Sequence, residues 1–245
     1  MRVLILGGTG EARALAAELA ARPGVEVTSS LAGRVRDPAL PAGEIRIGGF
    51  GGVAGLTAYL AEQSVDALVD ATHPFAATIS AHAVSAADAT GVPLVVLRRP
   101  GWSAAPGDRW TRVPDIVAAA ASAGALPAGC LFLTTGRRDL AEFAADGTHD
   151  YLVRTVEPPD GATPPRMTLL LGRGPYTLDG EAGLMGEHGV TALVTKDSGG
   201  ELTSAKLAAA RDRGIGVIMV DRPPLPAGVT AVPTVAAVLD RLGYG

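Results

Sequence analysis

The sequence predicts an α/β fold built from two parallel-sheet domains. Short runs of aliphatic and β-branched residues alternate with alanine-rich segments of helical length. This alternation is typical of a parallel sheet that is covered by helices on both faces. The same order of segments restarts after about half of the chain, which indicates two related domains.

Each predicted element rests on this alternation, because buried parallel strands read as short apolar runs and amphipathic helices as longer alanine-rich ones. The predicted strands cover residues 3–6, 26–30, 44–47, 67–70, 94–98, 131–134, 151–156, 168–171, 192–195 and 217–220. The predicted helices lie near residues 11–21, 53–63, 76–90, 115–123, 139–145, 178–187, 203–213 and 234–242. The turn-forming segment Leu126-Pro127-Ala128-Gly129 separates the predicted domains, 1–126 and 127–245.

The internal repeat is visible in several pairs of segments that follow one another in the same order. Residues 65–69 resemble residues 190–194, and residues 94–100 resemble residues 217–223. Val113-Pro114-Asp115 likewise resembles Val232-Pro233-Thr234. A ligand cleft between the two domains is therefore expected.

Composition excludes several classes of protein. The chain has 245 residues, of which 47% are hydrophobic, so it has enough apolar side chains for a core in each domain. A net charge of -4 argues against nucleic acid as the main partner. We find neither a signal-peptide pattern nor a membrane-length apolar run, and we expect a cytoplasmic protein without a membrane partner. A single cysteine and four scattered histidines predict neither an internal disulfide nor a metal site.

A glycine-rich turn follows the first predicted strand and leads directly into a helix. Its residues are Gly7, Gly8, Thr9, Gly10 and Glu11. Glycines let the backbone approach a pyrophosphate, and a helix N-terminus offers N–H groups with a partial positive charge. We therefore expect these five residues to bind a dinucleotide, with Glu11 either turned towards a ribose or capping its own helix.

The end of the second predicted strand indicates which dinucleotide is bound. NAD is usually held there by an acid, but this chain has Ser29, Ser30 and, a few residues later, Arg34. Hydroxyl groups and a guanidinium suit a 2′-phosphate, so the sequence favours NADPH over NADH. Gly49, in the glycine-rich segment 48–52, is expected to complete the adenosine pocket, unless this segment is only a flexible turn.

Several motifs carry a family resemblance that runs nearly end to end. They are residues 4–13, 70–76, 134–137, 174–176 and 195–200, of which His-Pro-Phe-Ala at 73–76 and Lys-Asp-Ser-Gly-Gly at 196–200 are the most specific. With these motifs the chain resembles the precorrin-6A reductase family of cobalamin biosynthesis. The resemblance implies two Rossmann-like domains and the NADPH-dependent reduction of precorrin-6A, a tetrapyrrole, to precorrin-6B. Many relatives have Phe where this chain has Tyr176.

The first specific motif follows the strand that ends at Asp70, so it lies at the carboxyl edge of the sheet. Thr72 and His73 are expected to contact the cofactor there, and His73 also to position the substrate or donate a proton. The simpler alternative for His73 is a local backbone cap. Phe75 is expected to stack on a flat ring of the substrate, or to be an ordinary core residue.

The second specific motif occupies the equivalent strand end in the repeat. Lys196 is the residue we expect to hold a substrate carboxylate or a ribose oxygen, or to supply the proton that accompanies hydride transfer. Its structural alternative is an ion pair with Asp197 or another acid. Asp197, Ser198 and Gly199 are expected to bind substrate with it.

The second domain replaces the glycine pair of its first loop with threonines and arginines. Thr135, Gly136 and Arg137 are therefore predicted to bind substrate carboxylates, with Arg137 as the principal ligand. Tyr176 is expected to add an aromatic surface. Further candidate arginines are Arg138, Arg154, Arg173 and Arg222.

Three other functions are compatible with parts of the sequence or are excluded by it. A short-chain dehydrogenase needs a tyrosine followed four residues later by a lysine, a pattern that this sequence lacks. A cobalt-precorrin-6A reductase is nearly indistinguishable by sequence, and a regulator that senses NADPH without turnover is a third possibility. We expect a monomer or a small homo-oligomer.

Overall fold

The fold consists of two six-stranded parallel sheets with helices packed against them, which confirms the predicted fold class. A computed structural model describes residues 1–31 and 40–244. Arg34 lies outside the described residues. Among the helices of the described part of the chain, none has both the length and the apolar character needed to cross a membrane.

The elements follow the predicted alternation closely. The first half contains β1 (Arg2–Leu6), α1 (Gly10–Ala20), β2 (Glu26–Leu31), β3 (Glu44–Ile47), α2 (Val53–Glu62), β4 (Ala67–Asp70), α3 (Ala77–Thr90), β5 (Leu94–Leu97), β6 (Trp110–Val113) and α4 (Ile116–Gly124). The second half contains β7 (Cys130–Leu133), a 3-10 helix (Arg137–Phe143), β8 (Asp150–Thr155), β9 (Met167–Leu171), α5 (Leu178–Glu187), β10 (Val190–Lys196), α6 (Ala205–Asp212), β11 (Gly216–Val220), β12 (Ala231–Val232) and α7 (Val235–Arg241). Strands β6 and β12 were not predicted, and the helix predicted at 139–145 is a 3-10 helix.

Both sheets have the same strand order, as the internal repeat predicts. The first sheet runs β12-β5-β4-β1-β2-β3 and the second runs β6-β11-β10-β7-β8-β9. This is the order of a Rossmann fold, in which the connections reverse direction at the central strand. Ligands bind at that switch point, outside the carboxyl ends of the strands. The switch points lie between β1 and β4 in the first sheet and between β7 and β10 in the second.

The two compact units differ from the predicted domains because each half contributes a strand to the other sheet. Strand β6 pairs with β11 in the second sheet, and β12 pairs with β5 in the first. Unit 1 therefore comprises residues 1–100 and 224–245, and unit 2 comprises residues 101–223. The predicted boundary at 126 and 127 assigned residues 101–126 and 224–245 to the other unit, because strand exchange leaves no local signal in the sequence.

Apolar packing explains why the last helix belongs to unit 1. Val238 and Leu239 of α7 are buried in the same core cluster as Leu15 and Leu19 of α1. Leu15 and Val238 are completely buried. Burying a side chain of this size contributes about 1.5–3 kcal/mol, so α7 stabilises the helix that follows the glycine-rich turn.

A hydrogen-bonded cluster in unit 2 joins the segment before β8 to the strand itself. The Asp146 carboxylate accepts hydrogen bonds from the Tyr151 hydroxyl, at 2.5 Å, and from His149 Nδ1, at 2.6 Å. Burial opposes ionisation of Asp146, but these hydrogen bonds and one from the Thr148 N–H hold its pKa well below the usual range. Burial and the Asp146 carboxylate both raise the pKa of Tyr151. The cluster is therefore built around an ionised aspartate.

Candidate active site

The glycine-rich turn lies at the switch point of unit 1, between the end of β1 and the start of α1. Gly8 has φ +111°, a conformation that favours glycine, and apart from Gly8 and its two chain neighbours no described residue has an atom within 4 Å of the position that a Cβ would take. Thr9 caps α1 by accepting a hydrogen bond from the Ala12 N–H at 3.1 Å, and it donates to the Ala71 carbonyl at 2.8 Å. The Thr9 side chain thus has a structural role, and the predicted contact of Thr9 with a dinucleotide stays a prediction.

Glu11 forms an ion pair and does not cap its own helix, while its predicted contact with a ribose stays a prediction. Its carboxylate lies 2.8 Å from the guanidinium of Arg99, which follows β5. Thr9, and not Glu11, provides the helix cap. The two side chains are 30% and 16% exposed, so the ion pair is partly shielded from water. The carboxylate that the first turn of α1 presents is therefore balanced by a cation from another loop.

The two serines at the end of β2 lie beneath the surface. Ser29 is 2% exposed and Ser30 is 6% exposed. The Ser30 carbonyl accepts a hydrogen bond from the Gly7 N–H at 2.9 Å, which fixes the start of the glycine-rich turn. The Ser29 hydroxyl has no hydrogen-bond partner among the described residues. Direct contact of these hydroxyls with a 2′-phosphate stays a prediction, and Ser30 has a clear structural role.

A second turn, at residues 48–52, is held by an arginine that sequence reasoning missed. Arg46 donates hydrogen bonds to the carbonyls of Gly48, at 2.6 Å, and Gly49, at 2.9 Å. Its guanidinium lies 3.7 Å from the centre of the Phe50 ring. The turn is thus ordered by cation–π and hydrogen-bond contacts, which argues against a merely flexible connection. Arginine two residues before a glycine pair was the available signal.

The loop after β4 lies on the other side of the same switch point. Asp70 is 2% exposed and accepts hydrogen bonds from the Thr72 hydroxyl, at 2.6 Å, and the Ser80 hydroxyl, at 2.5 Å. The Thr72 hydroxyl thus holds the loop through Asp70, and its contact with the cofactor stays a prediction. His73 is exposed, and its Nδ1 accepts the Phe75 N–H at 3.3 Å, so the local backbone cap is observed. The rings of His73 and Phe75 lie 5.8 Å apart.

In unit 2, the loop after β7 takes the position of the glycine-rich turn. Thr135 is 6% exposed, and its hydroxyl has no hydrogen-bond partner among the described residues. Gly136 has φ +100° and precedes the 3-10 helix. Arg137 pairs with Glu157 at 3.2 Å and with Asp160 at 3.6 Å. A substrate carboxylate would therefore have to compete with these two acids for Arg137.

Lys196, at the end of β10, pairs with an acid from the opposite side of the switch point. Its Nζ lies 2.5 Å from Asp139 Oδ2, and the two side chains are 20% and 16% exposed. The expected alternative of an ion pair with another acid is thus observed, and the partner is Asp139 and not Asp197. The sequence signal for this pair, overlooked above, was Asp139 in the first turn of the helix that begins at Arg137.

Asp197 has a structural role in its own loop. Its carboxylate is 7% exposed, accepts the Trp102 N–H at 2.9 Å and pairs with Arg112 at 3.0 Å. The backbone carbonyl of the same residue accepts a hydrogen bond from Arg222 at 2.7 Å. A substrate group would therefore have to compete with Arg112 and the Trp102 N–H for this carboxylate, and its contact with substrate stays a prediction. We assign Asp197 the positioning of the loop, and Arg222 is partly occupied in the same task.

The rest of this loop is held by tight local contacts. The Ser198 N–H donates to the Lys196 carbonyl at 2.7 Å, and the Gly200 carbonyl accepts the indole N–H of Trp102 at 2.9 Å. Gly199 has φ +65° and Gly200 has φ +79°, the left-handed conformations that glycine adopts without strain. The Lys-Asp-Ser-Gly-Gly motif therefore encodes a rigid turn behind the Lys196 amine.

A buried group of charges lies beneath Tyr176. The Arg154 guanidinium stacks on the Tyr176 ring, 3.7 Å from its centre, and forms a two-point ion pair with Glu181. Arg154 and Glu181 are 8% and 2% exposed, so a substrate carboxylate would have to displace Glu181 from Arg154. Burial raises the pKa of the Tyr176 hydroxyl. Burial also lowers the pKa of Lys206 to about 7, an effect to which Arg154 adds.

The structure joins two of the predicted loops within each unit. In unit 1, the hydrogen bond from Thr9 to the Ala71 carbonyl joins the glycine-rich turn to the start of the loop that carries His73. In unit 2, the Asp139 ion pair joins the Arg137 loop to Lys196. Equivalent strand ends therefore carry the candidate residues in both sheets.

Comparison with known proteins shows what the chain is similar to. A precorrin-6A reductase of Rhodococcus erythropolis is 54% identical over 242 residues, which cover 99% of this chain and 97% of that protein. A cobalt-precorrin-6A reductase of Priestia megaterium is 31% identical over 239 residues and 92% of each protein. A solved structure described as CobK precorrin-6A reductase is 45% identical, with a TM-score of 0.91 over 99% of this chain and 96% of that one.

Two sheets with the Rossmann strand order, each with polar loops at its switch point, define a Rossmann-like α/β protein. The model of the family described as Precorrin-6x reductase CbiJ/CobK matches residues 2–243. The chain belongs to this family of oxidoreductases, as the motifs predicted. Membership implies a nicotinamide cofactor and a tetrapyrrole substrate.

Proposed function

We propose that this chain reduces precorrin-6A to precorrin-6B with NADPH, unit 1 holding the cofactor and unit 2 the macrocycle. The observation that carries the proposal is the placement of two chemically different loop pairs at equivalent switch points. Unit 1 presents a glycine-rich turn beside the His73 loop, and unit 2 presents the Arg137 loop beside Lys196. The first pair suits a dinucleotide, and the second suits an anionic organic substrate.

The residues of unit 1 fit a dinucleotide. The open position beside Gly8 leaves room for a pyrophosphate against the backbone, and the N-terminus of α1 supplies N–H groups. The Ser29 hydroxyl is a buried polar atom without a partner among the described residues, next to the strand that leads to the turn. Gly8, Gly10 and the backbone of Thr9 would hold the phosphates, with His73 on the neighbouring loop.

The choice of NADPH rests on the end of β2. The sequence there reads Ser29-Ser30-Leu31, without the acid that binds the ribose diol of NAD. Arg34 follows within a few residues and remains the candidate donor to a 2′-phosphate. The same position with an aspartate or glutamate would repel that phosphate, so the absence of an acid supports NADPH.

The residues of unit 2 suit the other half of the reaction. When bound, the nicotinamide cofactor supplies a hydride, and a proton must reach the macrocycle to complete the reduction of one double bond. The Lys196 ammonium is held at the end of β10 by Asp139, so the loop presents an amine that can orient an acetate or propionate arm or give up a proton. His73, by contrast, uses Nδ1 locally, which favours a positioning role.

Relatives support the metal-free substrate over the cobalt-containing one. The relatives named precorrin-6A reductase are 54% identical in Rhodococcus erythropolis and 47% in Rhodobacter capsulatus. The relative from Priestia megaterium that is named cobalt-precorrin-6A reductase is 31% identical. The greater likeness to the first group favours precorrin-6A as the substrate of this chain.

The proposal is tested by following NADPH absorbance and the macrocycle spectrum with purified protein. We expect rapid oxidation of NADPH with precorrin-6A, slower oxidation of NADH, and little turnover of cobalt-precorrin-6A. Preferred reduction of the cobalt-containing ring would assign the chain to the other activity. Binding of NADPH without turnover of either ring would favour a sensor and refute the proposal.

A further inference from the structure

Arg99 forms an ion pair with Glu11, a carboxylate in the first turn of α1 that is unexpected beside a phosphate-binding turn. Glu11 lies in the first turn of α1, where a bound pyrophosphate would meet the helix. The Arg99 Nη1 atom lies 2.8 Å from Glu11 Oε2, although 88 residues separate them. Both side chains are less than one-third exposed, so water screens the pair only in part.

We propose that Arg99 sets the affinity of the cofactor site by neutralising Glu11, and that it is a positioning residue and not a phosphate ligand. The inference rests on the proposed function, because it needs a pyrophosphate at the N-terminus of α1. A free carboxylate there repels the pyrophosphate, whereas a carboxylate paired with a guanidinium leaves the partial positive charge of the helix effective. The site tolerates an acid in its first turn because Arg99 is supplied from the loop after β5.

A charge series on this pair gives a specific pattern. Arg99→Gln leaves the pair with one negative charge, and we expect the Kd for NADPH to rise about tenfold, which corresponds to about 1.4 kcal/mol. Glu11→Gln leaves one positive charge and is expected to tighten binding several-fold. The double variant Glu11→Gln/Arg99→Gln restores a net charge of zero, and its Kd is expected to lie within about threefold of the wild-type value.

The readout is the Kd for NADPH from isothermal titration calorimetry, with the thermal unfolding midpoint of each variant as the folding check. A matched control is the ion pair between Glu18 and Arg22, which lies at the other end of the same helix at 3.6 Å. Arg22→Gln removes an equivalent cation far from the turn, so the Kd should stay unchanged. The effect of Arg99→Gln should also shrink in high salt, because it is electrostatic.

The proposal is overturned if the double variant binds NADPH as weakly as Arg99→Gln alone, because Arg99 would then contact the phosphates directly. Equal affinities across the whole series would overturn it as well. A wild-type protein that binds neither NADPH nor NADH would instead refute the proposed function, so the two failures are distinguishable.

Discussion

Lys206→Met is expected to stabilise the protein at acidic and neutral pH, although it removes a charged side chain from a polar cluster. Lys206 is 4% exposed, its Nζ donates to the Thr203 carbonyl at 2.8 Å, and it lies 4.8 Å from the Trp102 ring centre. Burial and, to a smaller extent, the Arg154 charge lower its pKa from 10.5 to about 7, although the Glu181 carboxylate opposes the shift. Charging this amine therefore costs folding free energy.

The sign and size of the effect follow from the two pKa values. Between pH 7 and 10.5 the unfolded chain binds more protons than the folded one, so the free energy of unfolding rises with pH. At about pH 6 the penalty is about 5 kcal/mol, and at about pH 9 it has fallen to about 2 kcal/mol, at 1.36 kcal/mol per pKa unit. Methionine loses the Thr203 hydrogen bond, worth about 1 kcal/mol, at every pH.

The assay is urea unfolding of wild type and Lys206→Met at several pH values. The stability advantage of the variant should decrease by about 3 kcal/mol between about pH 6 and about pH 9. Leu207→Met, a change at the buried neighbour of Lys206 in α6, is the control and should follow the wild-type pH dependence. A difference in the free energy of unfolding between Lys206→Met and wild type that does not change with pH would show that folding does not lower the pKa of Lys206.

Three further predictions test other parts of the structure. Asp146→Asn should cost about 2 kcal/mol at neutral pH, where the ionised carboxylate stabilises the fold. Because the folded state lowers the pKa of Asp146, this stabilisation is lost progressively as the pH falls below about 4, so the variant should lose less stability there than the wild type. Unfolding curves at about pH 7 and about pH 3 check this, and an acid limb equal to that of the wild type would contradict it. Lys196→Met should lower kcat about 100-fold, while the Kd for NADPH stays within about twofold of the wild-type value. Stopped-flow absorbance measures both quantities, and a change in Kd alone would assign Lys196 to cofactor binding. Gly8→Ala should raise the Kd for NADPH at least about tenfold, because Gly8 has φ +111°, a conformation that alanine adopts only with strain. Wild-type affinity in calorimetry would refute the pyrophosphate site.

Much of the fold could be predicted because a parallel sheet imposes strong local signals. A continuous apolar run such as Leu131–Leu133 is typical of a strand whose two faces are both buried. The alanine-rich segments between such runs are typical of the helices that cover the two faces of the sheet. Strands β6 and β12 escaped prediction because β6 carries the polar residues Thr111 and Arg112 and β12 has only two residues. Their partners are distant in sequence, so the strand exchange depends on tertiary packing. The internal repeat nevertheless paired Val113 with Val232, which are the last residues of β6 and β12.

The loops of the candidate site were predictable for a geometric reason, but their contacts were not. Carboxyl ends of neighbouring parallel strands meet at one edge, so Thr9 and His73 follow strands that had to be close. Whether a side chain faces a ligand or its own backbone depends on partners from other loops. Arg99 and Asp139 changed the interpretation of Glu11 and Lys196, respectively, and neither pairing leaves a local pattern in the sequence.

Hydride transfer from NADPH to the macrocycle can be followed with a deuterium label. NADPH that carries deuterium at C4, prepared separately as each of the two stereoisomers, is incubated with the protein and precorrin-6A, and the product is analysed by mass spectrometry. We predict that one of the two stereoisomers delivers its deuterium to precorrin-6B and that the second added hydrogen comes from water. A reduced product without deuterium from either stereoisomer would show that the hydride does not come from C4 of NADPH.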